Sequence, residues 1–269
     1  VGAVTIVGDA FAKPIIRALD ADPGRRDLSS LVLMTSSGVM WSEQAKKGLL
    51  GHHPTMMLID SFSSSEALGM GQSVSAAGAE EKTAHFTLGA NAAVFDDDGN
   101  PVEPGSGVKG RVAVPGHVPI GYYKDPEKSA ATFIEHDGVR YSMPGDYATV
   151  EADGSITLLG RGSVCINTGG EKVFPEEVEE VLKLDDSVAD AVVVGVPDEK
   201  FGEAITAVVE PADGTIDEAA LIAHVKEHLA HYKAPRSVVA IDTIGRAPNA
   251  KVDYKRMKAY ALDRLGIDA

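Results

Sequence analysis

Cysteine is nearly absent: Cys165 is the single one in 269 residues. That excludes an internal disulfide and a metal cage of several thiolates, and it fits a reducing compartment, most simply the cytoplasm. Aromatic residues make up only 6% of the chain, with one tryptophan, Trp41. Positive charge is short: 25 Lys and Arg against 40 Asp and Glu leave a net charge of −15. A general nucleic-acid binder needs a basic surface to neutralise phosphates, so that class is excluded. No apolar run approaches the roughly 20 residues that span a bilayer. The longest strong one is Ala191–Val196. The N-terminal segment VGAVTIVGDAFAK has no basic stretch before its apolar residues and makes a poor secretory signal. The chain starts at Val1 rather than Met, as expected of a processed protein or of a piece of a longer one.

What is present is ordinary for a globular protein. The chain is 44% apolar and 24% charged, too apolar for disorder. Its length suits one large or two ordinary domains. Short apolar runs at Val4–Val7, Leu31–Met34 and Met56–Ile59 alternate with helical stretches at Pro14–Leu19 and Ser42–Leu50. Ser42 is a candidate N-cap. This alternation predicts an α/β layer with parallel strands over 1–85. Over 86–160 turn signals are dense, from Asp98-Gly99-Asn100 to Asp153-Gly154, with short strands such as Ala92–Phe95, Gly110–Val114 and Ile156–Leu159 between them. That reads as a small antiparallel sheet or barrel. From 161 to 269 we expect a compact α+β domain. Pro175 opens a helix with Glu176 and Glu177 in its first turn, and Phe174, Val178, Val181 and Leu182 on its apolar face. Strands at Ala191–Val196 and Ile205–Val209, a helix from Asp217 and a strand at Val238–Ile241 complete a β-α-β-β-α-β order.

Several polar segments are candidates for chemistry, and each has a plainer reading beside it. Asp60-Ser-Phe-Ser-Ser-Ser-Glu66 follows an apolar strand, where hydroxyls can hold phosphate and a carboxylate can hold Mg²⁺; taken alone, a polar turn before a helix is the favoured reading. Asp146 suits the two hydroxyls of a ribose, or an Asx turn. Gly160-Arg161-Gly162 and Gly169-Gly170 suit a hinge and a close ligand approach, or two turns. Lys251 ends a polar loop and is a point charge for a developing anion, or a solvated lysine. Lys255, Arg256 and Lys258 read as a solvated helix face. His224, His228 and His231 share a helix side with metal-competent spacing but no further ligand, so we read them as structural. Cys165 reads as a small core residue. Trp41 lines either core or pocket.

The order and spacing of these segments resemble the C-terminal half of the adenylate-forming superfamily. Its closest likeness is to bacterial fatty-acyl-CoA synthetases of the very-long-chain or steroid-side-chain type found in mycobacteria. The residues that carry it are Thr35-Ser-Ser-Gly38-Val-Met40, Phe62-Ser-Ser-Ser-Glu66, the long run Gly110–Pro126, Gly145-Asp146, Gly160-Arg161, Glu171–Glu179 and Pro248-Asn-Ala-Lys251. The resemblance implies ATP-dependent conversion of a carboxylic acid to an acyl-adenylate, then thioester formation with CoA. It implies that Phe62 stacks on adenine, bordered by Ser37, Gly38 and Val39. Ser65 would contact the α-phosphate, Glu66 would bind Mg²⁺, and Asp146 and Arg161 would hold the ribose. Lys251 would bridge carboxylate and phosphate. The small domain would rotate about Ser163, bringing Gly169 and Gly170 to the CoA entry. Small-molecule partners are therefore expected, with no nucleic acid and no membrane span; peripheral membrane contact and a homodimer stay open. An enzyme that loads a carrier protein and a non-catalytic AMP-binding module are the alternatives. The sequence departs from the family pattern at Ser163, Ala250 and Pro144. The family's Thr/Ser/Gly-rich phosphate loop is missing, so the isolated chain is expected to adenylate poorly or not at all.

Overall fold

The computed structural model describes residues 1–39, 41–79, 83–247 and 251–267. The chain forms two compact units, Val1–Leu158 and Leu159–Ala269.

The first unit opens with three parallel strands. These are β1 (Ala3–Ile6), β2 (Leu33–Ser37) and β3 (Met57–Phe62), with helices α1 (Gly8–Asp20) and α2 (Glu43–His52) in the connections. Helix α1 begins six residues before the expected Pro14 and carries that proline inside it. Proline at a first helical turn is a strong start signal, but tertiary contact overrides it here. Ser36 Oγ accepts the Gly8 N–H (2.9 Å), and Asp9 complements the positive end of the helix. Helix α2 is capped as expected: Ser42 Oγ accepts the Ala45 N–H (3.2 Å). Ile6, Met34, Trp41, Leu49 and Leu58 close a core between strands and helices, and this settles Trp41 as core.

Antiparallel strands continue that sheet. They are β4 (Gly71–Ser75), β5 (His85–Leu88), β6 (Ala93–Phe95), β7 (Lys109–Pro115), β8 (Phe133–His136), β9 (Val139–Ser142), β10 (Asp146–Val150) and β11 (Ile156–Arg161), with helix α3 (Pro126–Thr132) before β8. Among the described residues the strand order runs β1-β2-β3-β4-β5-β11-β10-β7-β9-β8, with β6 paired to β7. The path has two ends, so the β-rich part is an open sheet and the barrel alternative falls. Phe86, Val94, Val112, Ala148 and Ile156 form its core.

In the second unit a single turn of 3-10 helix (Gly162–Val164) precedes the hairpin β12 (Ile166–Thr168) and β13 (Glu171–Val173). Helix α4 (Pro175–Leu182) follows, then β14 (Val188–Asp198), β15 (Gly202–Pro211), α5 (Glu218–His228), β16 (Ser237–Ala240) and α6 (Tyr254–Leu265). The β12–β13 hairpin and α6 are additions to the expected order. Strand β14 explains why 191–196 is apolar without alternation. Ala191 and Val193 face a core with Val178, Leu182, Leu221 and Val225, while Val192, Val194 and Val196 face one with Met257 and Ala261. A strand covered on both sides needs apolar residues at every position.

Leu221 is 1% exposed and Asp217 Oδ1 accepts the Ala220 N–H (3.0 Å). We predict that Leu221→Ala lowers stability by about 2–5 kcal/mol and Asp217→Ala by about 1 kcal/mol. Urea melts followed by far-UV circular dichroism test this. Trp41 fluorescence reports the first unit alone and should stay in place; a matching shift there would show that the two units unfold together.

Candidate active site

Parallel pairing brings the carboxyl ends of β1, β2 and β3 to one edge. Ile6 stands beside Ser36, Ser36 beside Asp60, and Ser37 beside Ser61. Ligands in open α/β sheets bind beyond such ends. Just past them lie Gly38 and Val39 after β2, and the 63–70 turn after β3. Gly38 has φ +96°, a left-handed conformation that a side chain would strain. Met40 lies outside the described residues.

The 63–70 turn leads into strand β4, not into a helix. Its three serines are used differently. Ser63 Oγ accepts the Gly69 N–H (2.9 Å) and Ser64 Oγ accepts the Ala67 N–H (3.1 Å). Both hydroxyls build the turn, and the buried Ala67 and Met70 anchor it. Ser65 is exposed and makes no hydrogen bond among the described residues. Next to it, Glu66 Oε1 accepts a 2.7 Å hydrogen bond from the Tyr122 hydroxyl. Phe62 is half-buried with its ring 5.6 Å from Phe86, tilted by 45°. Gly71 permits this, because a Cβ there would meet the Thr87 carbonyl oxygen at 3.0 Å and Phe86 Cβ at 3.2 Å. Asp146 opens β10 and is buried.

Beneath the turn lies a buried ion pair that the sequence reading missed. Lys46 Nζ stands 3.8 Å from Asp60 Oδ2, with 2% and 4% of the two residues exposed. The ammonium also sits 5.6 Å from the Trp41 ring centroid. Asp60 was legible as the residue ahead of the serine run. Lys46 was not, because nothing in a helix sequence marks one lysine as the inward one. Burial pushes the Asp60 carboxyl up to about 6, against the attraction of Lys46 and with Asp9 adding to the rise. Asp9 is itself tied to Lys13 (3.6 Å) and to the Ser42 hydroxyl (2.7 Å).

In the second unit, Arg161 ends β11 and Ser163 lies in the short 3-10 turn; both are exposed. Gly169 (φ +61°) and Gly170 (φ +89°) form the β12–β13 turn, both left-handed. Lys251 is exposed, and its carbonyl accepts the Ala247 N–H (3.0 Å). Pro248, Asn249 and Ala250 lie outside the described residues. Five residues before Lys251, Arg246 gives two hydrogen bonds to Asp190, Nε at 2.6 Å and Nη2 at 2.8 Å.

Other expectations need correction. Helix α5 ends at His228, so His231 falls in a separate turn and not on the helix side of His224. His224 Nε2 donates to the Val181 carbonyl (3.0 Å) and His228 Nδ1 to the His224 carbonyl (2.8 Å), both structural roles. Among the described residues no group of three His, Cys, Asp or Glu is arranged to hold a metal. Cys165 is half-exposed, not core, since it caps the 3-10 turn. The basic face of α6 is partly engaged: Arg256 donates to the Ile244 carbonyl and Lys258 to Glu203 (3.3 Å).

Residues 177–251 match the AMP-binding enzyme C-terminal domain. The chain is 49% identical over 262 residues, 96% of its length, to a medium/long-chain-fatty-acid--CoA/3-oxocholest-4-en-26-oate--CoA ligase of Mycolicibacterium smegmatis. The chain thus contains the C-terminal domain of AMP-binding enzymes. It is also 47% identical over 99% of its length to the 3-oxocholest-4-en-26-oate--CoA ligase of Rhodococcus rhodochrous. These alignments cover 48% of each relative, so the chain spans about half the length of the curated relatives it matches. In fold it is similar to the anthranilate CoA ligase AuaEII, with a TM-score of 0.80 at 21% identity over 99% of this chain and 51% of that one.

The raised Asp60 carboxyl gives a pH prediction. The folded chain holds this proton more tightly than the unfolded chain, whose carboxyl titrates near 4. The stability it contributes is full below about pH 4 and is lost as the pH rises through about 6, roughly 3 kcal/mol in all. Asp60→Asn should therefore gain on the parent by about that amount between pH 4 and 7. Parallel stability curves from denaturant melts would show that Asp60 titrates normally.

Proposed function

We propose that this chain works in an AMP-forming acid–thiol ligase that activates a fatty or steroid-side-chain carboxylic acid and passes it to CoA. The observation that carries the reading is the presentation of Ser65 and Glu66. They stand past the carboxyl ends of three parallel strands, on a turn whose other serines are consumed in holding it. The kinship to CoA ligases supplies the substrate class.

In the first half-reaction the substrate carboxylate attacks the α-phosphorus of ATP, the bond to the β-phosphate bridging oxygen breaks, and pyrophosphate leaves. We assign the adenine to Phe62, with Ser37, Gly38 and Val39 at its rim. Phe62 presents a ring already braced from behind by Phe86. Asp146 and Arg161 are assigned to the ribose and Ser65 to the α-phosphate. In the second half-reaction the CoA thiol loses its proton to solvent, its sulfur attacks the acyl carbonyl, and the acyl C–O bond breaks with its electron pair on the departing AMP. Gly169 and Gly170 are assigned to the thiol's approach, because their left-handed turn keeps side chains off the backbone. We assign the hinge between the two steps to Ser163, whose exposed single turn can change φ and ψ without unpacking a core. Glu66 fits Mg²⁺: it is a hard oxygen donor, and this ion is commonly held by one or two carboxylates plus substrate phosphates. When bound, Mg²⁺ would offset negative charge on the phosphates. Lys251 is assigned as a point charge for the carboxylate and phosphate as they meet. No helix among the described residues is long and apolar enough to cross a membrane. The single half-exposed thiol suits the cytoplasm.

In the full-length protein, Lys251→Ala should slow pyrophosphate exchange by about 10²–10³-fold. Thioester formation from supplied acyl-adenylate should stay within about threefold, because a charge used only in the first transition state is absent from the second. Equal loss in both half-reactions would overturn the role of Lys251. A parent protein that binds AMP but exchanges no pyrophosphate with any acid would favour a binding module over an enzyme.

A further inference from the structure

We propose that Tyr122 is a positioning residue for the Glu66 carboxylate. The proposal rests on the reading that Glu66 faces the metal and phosphates. A glutamate on an exposed turn has three side-chain torsions, and holding one arrangement costs entropy. The Tyr122 hydroxyl donates to Oε1 at 2.7 Å across 56 residues of sequence, which sets the plane of the carboxylate before any ligand arrives.

Tyr122 is itself held from several directions. Its N–H donates to Ser129 Oγ (2.7 Å), and that hydroxyl donates to the Asp125 carbonyl (2.6 Å). Asp125 Oδ1 accepts the Lys128 N–H (3.0 Å) and so caps α3. Lys128 Nζ sits 4.0 Å from the centroid of the Tyr122 ring, and Phe133 packs on the ring at 5.5 Å. Gly121 is required for this approach, because a Cβ there would meet Ser129 Oγ at 2.9 Å. Arg140 Nη2 donates to the Ile120 carbonyl (2.7 Å) and ties down the other side of the loop. The neighbours Ile120 and Tyr123 are 94% and 88% exposed. The segment therefore turns one side chain inward, and that side chain ends on Glu66. A tether needed only for loop stability could end on any backbone carbonyl. Partners that orient a metal ligand from behind typically matter by about 10–100-fold in metal affinity.

The test uses Mn²⁺ as the probe, bound to the full-length protein with a non-hydrolysable ATP analogue and read by electron paramagnetic resonance. Tyr122→Phe removes one oxygen and keeps the ring contacts. It should raise the Mn²⁺ dissociation constant about 10-fold and raise the Mg²⁺ needed for half-maximal pyrophosphate exchange in parallel. Thioester formation from acyl-adenylate should hold. Unchanged Mn²⁺ affinity in Tyr122→Phe, with clear weakening in Glu66→Gln, overturns the proposal and leaves the role of Glu66 standing. Unchanged affinity in both variants overturns the reading of Glu66 and the proposal with it. Thermal melts check folding. If Tyr122→Phe unfolds, Ser129→Ala keeps the phenol and loosens its anchor, and about threefold weaker Mn²⁺ binding is expected on the same grounds; no weakening overturns the proposal.

Discussion

Three parallel strands that end in step are the constraint on which the rest of the first unit depends. Their pairing puts Ser36 beside Asp60 and Ser37 beside Ser61. A slip of one residue would reverse every inward and outward side chain of β3. Leu58 would then leave the core, and Asp60 would lose Lys46. The buried Lys46–Asp60 pair thus does more than neutralise charge. Two ionisable groups removed from water add little net stability, but an unmatched one is costly. The pair therefore penalises wrong registers more than it rewards the right one, and the turn that carries Ser65 and Glu66 inherits that register.

The same economy of hydroxyls runs through the turn. Ser63 and Ser64 accept backbone N–H groups, so the loop needs no helix or sheet to hold its shape. Ser65 and Glu66, the pair proposed to face the nucleotide, ride on that turn, and the Tyr122 hydroxyl donates to Glu66. Rigidity here comes from side chain to backbone hydrogen bonds, which permit a short, exposed and well-defined segment.

Much of this was legible in the sequence. Ser42 as a cap, Pro175 as a helix start, the parallel β1–β3 layer and the apolar 191–196 run all follow from local rules, because each concerns residues within a few positions of one another. The misses have a common cause. Helix α1 starts at Gly8 because of Ser36, which lies 28 residues away. Glu66 is held by Tyr122 from 56 residues away. Lys46 is buried because Asp60 is its partner. Helix α6 was legible in part: the Met257 and Ala261 spacing marks an apolar face, but the basic residues between them drew the reading toward a solvated tail. The family resemblance supplied roles for Ser65, Asp146 and Lys251. It gave no role to Tyr122, although that residue lies inside the Gly110–Pro126 run.

On the role proposed for Lys251, the second unit has a different problem to solve, that of delivering one lysine. A free loop would spread Lys251 over many positions, and only a small fraction would meet a reacting phosphate. The bidentate Arg246–Asp190 pair limits this spread five residues before Lys251, and Asp253 limits it two residues after by capping α6 through the Arg256 N–H (3.0 Å). Arg246 is fit for that task in a way a lysine is not. Its planar fork takes both carboxylate oxygens and so fixes direction as well as distance. Asp190 sits on β14, the strand covered on both faces, so the anchor is as rigid as the core of the unit. On the role proposed for it, Lys251 lies between two such anchors, the Arg246–Asp190 pair before it and the Asp253 cap after it.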